Sequence, residues 1–132
     1  MLFLMVSGIA VAAVALPTLQ WQQQDRRRIL AAERVGGDPE AGQAALLRHG
    51  CGGCHRIPGV SGAMGNVGPD LSGLAQRSFI AGRAINQPDL LIRWIRDPRS
   101  IDPRTAMPDL GVNEAEARDM GAYLYSISPR VF

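Results

Sequence analysis

Cys51-Gly52-Gly53-Cys54-His55 decides how the rest of this 132-residue chain is read. Two thiols three positions apart, followed at once by an imidazole, form the CxxCH pattern of a covalent haem c site. Each thiol can add to one vinyl group of the porphyrin, and the adjoining histidine then reaches the iron from the proximal side. Three plainer readings compete. A structural zinc site takes four ligands in a tetrahedron, and the soft candidates are only Cys51, Cys54, His49 and His55. His55 follows Cys54 directly, so the two would hardly wrap one small ion at ideal angles. A thioredoxin-type dithiol belongs beside a βαβ pattern, and no such strands are visible. A disulfide between residues this close closes a tiny loop and stabilises little. With no other cysteine in the chain, one haem c bound through Cys51 and Cys54 is the expected cofactor, and electron movement the expected task.

Upstream of the motif lies an appendage. Leu2 to Leu19 (LFLMVSGIAVAAVALPTL) contains no charge, and its length is close to the roughly 20 residues that span a bilayer core. Trp21 stands where an interfacial aromatic anchor would sit. Ala13-Val14-Ala15 also fits the small-x-small pattern of a cleaved signal peptide, but the segment lacks a charged leading region. The reading favoured is a retained transmembrane anchor over residues 1–21, and either alternative exports the remainder of the chain. Arg26, Arg27 and Arg28 come next, a cluster that the positive-inside rule would keep in the cytoplasm. Residues 22–37 read as a solvated helical stalk of good helix formers ended by Gly36-Gly37, with Pro17 a candidate kink before it.

All fourteen basic residues are arginine, and residues 1–37 account for the whole formal charge of +2. Residues 38–132 carry ten arginines against ten acids. That balance argues against a nucleic-acid partner, which would call for a basic stripe. It also leaves no lysine-rich face to steer a freely diffusing carrier toward its partner.

The rest of the chain reads as helices separated by proline- and glycine-rich loops. Asp38-Pro39 supplies an N-cap acid and a proline at the first helical position. That helix runs through Leu46 and Leu47 toward Gly50 and so into the CxxCH motif, with Gly42 small enough to let another helix cross close by. Arg56 to Gly68 (RIPGVSGAMGNVG) has four glycines and a proline, too many for regular structure, and is expected as a loop over one haem edge. A short helix is expected around Leu71 to Gln76. Pro88-Asp89 starts another, with Leu90, Leu91, Trp94 and Ile95 along one face, and Asp97-Pro98 stops it. Asp102 to Pro108 forms a proline-fenced loop. Asn113 with Glu116 marks the start of a last helix, whose Ala117, Met120, Tyr123, Leu124 and Ile127 recur at helical spacing. No stretch alternates with period two, so the expected fold class is all-α.

These pieces together resemble the class I c-type cytochromes over about 95 residues from Asp38 onward, because they arrive in that family's order. More narrowly, VGPDLSGL (67–74), LIRWIRDP (91–98) and TAMPDLGV (105–112) look like the cytochrome c domain fused to subunit II of caa3-type oxidases. The resemblance implies a class I cytochrome c fold over residues 38–132, preceded here by the anchor and stalk. By position, Cys51 and Cys54 would carry the thioethers, and His55 would be the proximal iron ligand. The Pro69 carbonyl would accept a hydrogen bond from the other His55 ring nitrogen, a contact that fixes the tautomer; as a bare residue Pro69 reads equally well as part of a turn. Trp94 would donate its indole N–H to a haem propionate, or serve simply as a core aromatic. Gly42 and Tyr123 would mark the crossing of the first and last helices of the domain.

For the distal iron ligand the chain offers Met64, Met107 and Met120. Met120 lies on the apolar stripe of the last helix, where a core thioether is the default. Met64 precedes Pro69, on the side that the resemblance places proximally. Met107 sits in a loop that Pro108 holds away from helical geometry, and it is the expected ligand. His49 is too near the attachment site to reach the opposite face and reads as a surface residue. Histidine–methionine ligation leaves no open iron site and suits electron transfer rather than oxygen chemistry.

The expected protein is therefore a membrane-tethered monohaem cytochrome c on the periplasmic side of a bacterial inner membrane. It would transfer electrons to, or serve as a subunit of, a respiratory haem-copper terminal oxidase, and would itself catalyse no bond chemistry on a small-molecule substrate. The alternatives are an electron-accepting subunit of a periplasmic dehydrogenase and, from another class, a haem-based sensor with a labile sixth site.

Overall fold

The computed structural model describes residues 2–129, with side chains described from Ala13 onward apart from Val14. Four α-helices occur among these residues: α1 (Leu2–Val35), α2 (Pro39–Arg48), α3 (Pro88–Arg96) and α4 (Glu114–Ser126). Their starts follow from local chemistry. The Asp38 carboxylate accepts the Glu40 backbone N–H at 2.8 Å, and Pro39 occupies the first helical position where no N–H is needed. Asn113 Oδ1 accepts the Glu116 N–H at 2.9 Å while its amide donates to the Glu116 carboxylate, a reciprocal cap that opens α4. At the other end of α3 the Asp97 carboxylate takes the Ser100 N–H at 3.1 Å, turning the chain into the short 3₁₀ turn Pro98–Ser100.

Helix α4 is the hub, packing against α1, α2 and α3. Its Ala117, Met120, Ala122, Tyr123, Leu124 and Tyr125 are buried, and α3 contributes Leu91, Ile92, Trp94 and Ile95 to the same core. Helix α2 crosses α4 at Gly42, where an added Cβ would lie 1.9 Å from the Asp119 carbonyl oxygen. The two backbones therefore touch, which no larger residue permits.

Three expectations are corrected. The all-α reading omits a small antiparallel ribbon, β1 (Phe79–Ile80) with β2 (Ala84–Ile85), in which Phe79 faces Ile85 and Ile80 faces Ala84. Two residues per strand are too few to produce a visible alternation. The helix expected over 71–76 is only a 3₁₀ turn, Leu74–Gln76, because the Asp70 carboxylate first captures the Ser72 N–H at 2.8 Å. The solvated stalk is solvated only in part. Its last turns carry Ala31 and Val35, which are 0% and 2% exposed and belong to the core.

Pro17 lies within the continuous α1. Among the described residues no helix is long and apolar enough to cross a membrane. The expected anchor falls largely on residues 1–12 and Val14, whose side chains lie outside the described set.

The α2–α4 contact yields a stability test. Gly42→Val forces two backbones apart and is expected to lower the unfolding free energy by about 1–3 kcal/mol, the usual cost of overpacking. Urea unfolding followed by far-ultraviolet circular dichroism measures it; an unchanged midpoint would show that the helices do not meet at this residue.

Candidate haem-binding site

The CxxCH segment leaves α2 through His49 and the left-handed Gly50 and closes at once into a 3₁₀ turn, Cys51–Gly53. The His55 N–H donates to the Cys51 carbonyl at 3.0 Å, completing the turn. The following loop doubles back on the motif. Gly65 N–H donates to Gly52 O at 3.1 Å, Gly68 N–H to Cys54 O at 2.8 Å, and Leu71 N–H to Arg56 O at 2.9 Å. Two helices hold the loop from its far side: Tyr123 of α4 donates its hydroxyl to Pro58 O at 2.7 Å, and Gln43 of α2 donates to Gly59 O at 2.6 Å.

This wrapping fixes His55. Its Nδ1 lies 2.8 Å from the Pro69 carbonyl oxygen. A carbonyl only accepts, so Nδ1 carries the proton, and in the neutral ring Nε2 keeps its lone pair for a metal. Gly68 makes the arrangement possible, since a Cβ there would lie 2.3 Å from the His55 ring. The imidazole rests flat against backbone that a side chain would obstruct.

Cys51 is half-buried and Cys54 exposed, and both thiols are free. Burial pushes the Cys51 thiol up from its ordinary value. His49, the other soft donor, is engaged elsewhere: its Nε2 lies 3.3 Å from Glu116 Oε2. The Arg48 guanidinium, and after it His49, hold the Glu116 carboxyl below the usual carboxylate range. His49 is thus a half-buried bridge from α2 to α4 rather than the surface residue expected. Among the described residues no cluster of histidine, cysteine and carboxylate could hold a metal ion.

The cytochrome c family model matches residues 39–128. The chain belongs to the cytochrome c family. It is 34% identical over 89 residues to cytochrome c oxidase subunit 2 of Alkalihalophilus pseudofirmus, a match covering 65% of this chain and 25% of that protein. It is 36% identical over 103 residues to cytochrome c2 of Rhodoblastus acidophilus, covering 67% of this chain and 91% of that one. The chain thus spans about a quarter of the length of the oxidase subunit it matches. No solved structure gives a significant match. Membership makes the chain an electron-transfer protein rather than an enzyme in itself, and implies a covalent haem c.

The residues present fit that group. Two free thiols, one imidazole with an available Nε2 and partly buried apolar side chains packed against the core, Cys51, Leu71 and Met107 among them, are the donors and surface a porphyrin needs. Met107 is half-buried in its loop, its N–H held by Thr105 Oγ1 at 3.2 Å. Met120 is fully buried in the core of this cytochrome c domain and Met64 is 68% exposed. Trp94 is buried on α3, and its indole N–H makes no hydrogen bond among the described residues. The structure unites Cys51, Cys54, His55 and Pro69 in one bonded unit; Met107 and Trp94 reach the same core from other elements.

Several supporting residues have no signature in the sequence. Asn86 donates to Leu74 O at 2.7 Å and Arg77 O at 2.9 Å while accepting from the Tyr125 hydroxyl at 2.8 Å. Ser128 Oγ accepts the Ala75 N–H at 3.0 Å. Both fasten the segment after Pro69, and with it the carbonyl that His55 contacts. Only Tyr123 and Gly42 among the supporting residues were legible, through their helical spacing and size.

Gly68→Ala should push the His55 ring off the Pro69 carbonyl. A histidine that loses this acceptor becomes a weaker donor to the oxidised iron, so the midpoint potential of the purified haem protein should rise on the order of tens of millivolts, the equivalent of about one hydrogen bond. Potentiometric titration measures the shift; an unchanged potential would mean that the ring keeps its partner.

Proposed function

We propose that this cytochrome c is a membrane-tethered, single-haem electron carrier serving a respiratory haem-copper terminal oxidase, with its domain on the periplasmic side of a bacterial inner membrane. Cys51 and Cys54 would hold the haem by thioether bonds, His55 and Met107 would ligate the iron, and Trp94 would donate to a propionate. Bound there, the haem supplies a one-electron couple between ferric and ferrous iron. The residues of the chain orient His55 through Pro69 and Gly68 and order the 56–68 loop against the motif, and Met107 would occupy the remaining iron position and so exclude exogenous ligands.

The observation that carries this reading is the His55–Pro69 contact at 2.8 Å. It fixes one imidazole in one tautomer, with Nε2 left for an iron, directly after two free thiols. The oxidase assignment draws support from the relative named as an oxidase subunit and from the charge balance of residues 38–132, which suits a partner held nearby. The apolar stretch from Leu2 to Leu19 supports the tether.

Two outcomes are expected. The ferrous protein should resist carbon monoxide, and Met107→Ala should admit it, seen as a Soret shift on exposure to the gas; ready binding by the unmodified protein would instead favour a sensor. Gentle solubilisation of the native membrane should leave haem-copper oxidase subunits bound to the haem-staining band. Recovery with a dehydrogenase alone would sink the oxidase assignment and leave electron transfer standing.

A further inference from the structure

We infer that α1 is a rigid strut rather than a flexible tether, so that the haem domain is held at one height and one rotation relative to whatever anchors the start of the helix. The inference rests on the membrane tether proposed above and concerns how that tether works. Ala31 and Val35 lie before residue 39, where the family match begins, yet both are buried in the domain core. The core of this chain therefore extends beyond the family unit and includes the end of its arm.

The seam is continuous. Arg28, Ala31 and Val35 fall on one face of α1 at intervals of three and four. Val35 rests over Gly121 of α4, where an added Cβ would come within 3.2 Å of Val35 Cγ1. Arg118 of α4 donates to the Val35 carbonyl at 3.0 Å and also pairs with Glu114 at 3.0 Å and Asp89 of α3 at 3.6 Å. The Arg34 guanidinium stands 5.9 Å from the centre of the Tyr125 ring, and Arg28 reaches Glu40 of α2 at 3.1 Å. One carbonyl, one apolar side chain and three cations thus tie α1 to α4 and α2, and the same Arg118 joins α4 to α3. The connection from α1 to α2 is Gly36-Gly37-Asp38, and the Asp38 N–H donates to the Asp119 carboxylate at 2.7 Å. No slack remains for the domain to swing on.

Helix α1 runs without a break from Trp21 to Val35, a rise of about 21 Å at 1.5 Å per residue. A flexible linker of that length raises the partner's effective concentration and leaves orientation free. A helix docked at its end fixes orientation as well. The partner this geometry fits is a membrane-bound redox protein whose docking surface stands on the order of 20 Å above the lipid interface.

The test uses the full-length, haem-loaded chain with nitroxides on Gln23→Cys and Ala115→Cys, compared by double electron–electron resonance with a pair inside the domain, Arg99→Cys and Ala115→Cys. A strut gives an arm-to-domain distance distribution within about twofold of the width of the internal pair. A distribution several times broader, or a spread of separate peaks, overturns the strut while leaving the electron-transfer reading intact. Val35→Asp should broaden the distribution several-fold with the haem absorption spectrum unchanged. Should that variant lose its spectrum, Arg118→Ala removes the bond to Val35 without burying a charge and should broaden it to a lesser degree. No broadening in a folded variant of either kind overturns the assigned seam. Failure to recover an oxidase leaves these widths untouched, so the two readings fail separately.

Discussion

Contact between the backbones of α2 and α4 at Gly42 is the constraint on which the rest of the domain depends. Because Gly42 has no side chain, the Asp119 carbonyl can sit where a Cβ would be, and the helices close to the shortest separation available to them. That separation sets everything the two helices carry together. Arg48 and His49 at the end of α2 meet Glu116 near the start of α4. Gln43 and Tyr123, one from each helix, reach the same stretch of loop at Pro58 and Gly59. A wider crossing would withdraw both donors at once, and the loop that wraps the CxxCH motif would lose its outer support.

The loop needs that support because its composition offers none. Four glycines in thirteen residues give the unfolded chain much conformational freedom to lose. Each backbone bond from the loop to the motif contributes only about 1 kcal/mol net, so no single one holds the loop. Order comes from bonds made in both directions, inward to Gly52 and Cys54 and outward to Gln43 and Tyr123. The result of this ordering is one fixed imidazole. A ligand already held in its working orientation has little to rearrange when the charge on a bound iron changes, which is the requirement placed on an electron carrier.

The parts of the structure legible in the sequence were those set by short-range chemistry. Asp38-Pro39, Pro88 and Asn113 act on the next few residues, and the helices begin where those residues place them. The CxxCH motif is likewise local, and its contact with Pro69, open between two readings in the sequence, is geometric fact in the fold. What the sequence concealed was long-range. Asn86 joins two segments to α4 by three bonds, but an asparagine in a loop has nothing to distinguish it until the chain is folded. Ala31 and Val35 were read as stalk because residues 22–37 are good helix formers ended by Gly36-Gly37, and nothing in the sequence separates these two from Ile29 and Leu30, which stay exposed. Their burial depends on Gly121 being small and on Arg118 pointing back toward α1, both more than eighty residues away.

Charge and architecture converge on the same mode of action. The ten arginines and ten acids of residues 38–132 cancel in number, and several cancel in place as well: Arg83 with Asp102, Arg96 with Glu114, Arg48 with Glu116, and Arg118 with Glu114 and Asp89. Paired charges produce little field at a distance, so these pairs contribute little to long-range steering. A diffusing carrier with this surface would meet its partner slowly and in every orientation. A domain carried on a docked and membrane-tethered helix, as proposed, would have no such need, because the arm would supply position and rotation. The same Arg118 that pairs with Glu114 and Asp89 grips the carbonyl at the end of α1, so one residue both balances charge and docks the helix on which the proposed tether would rely.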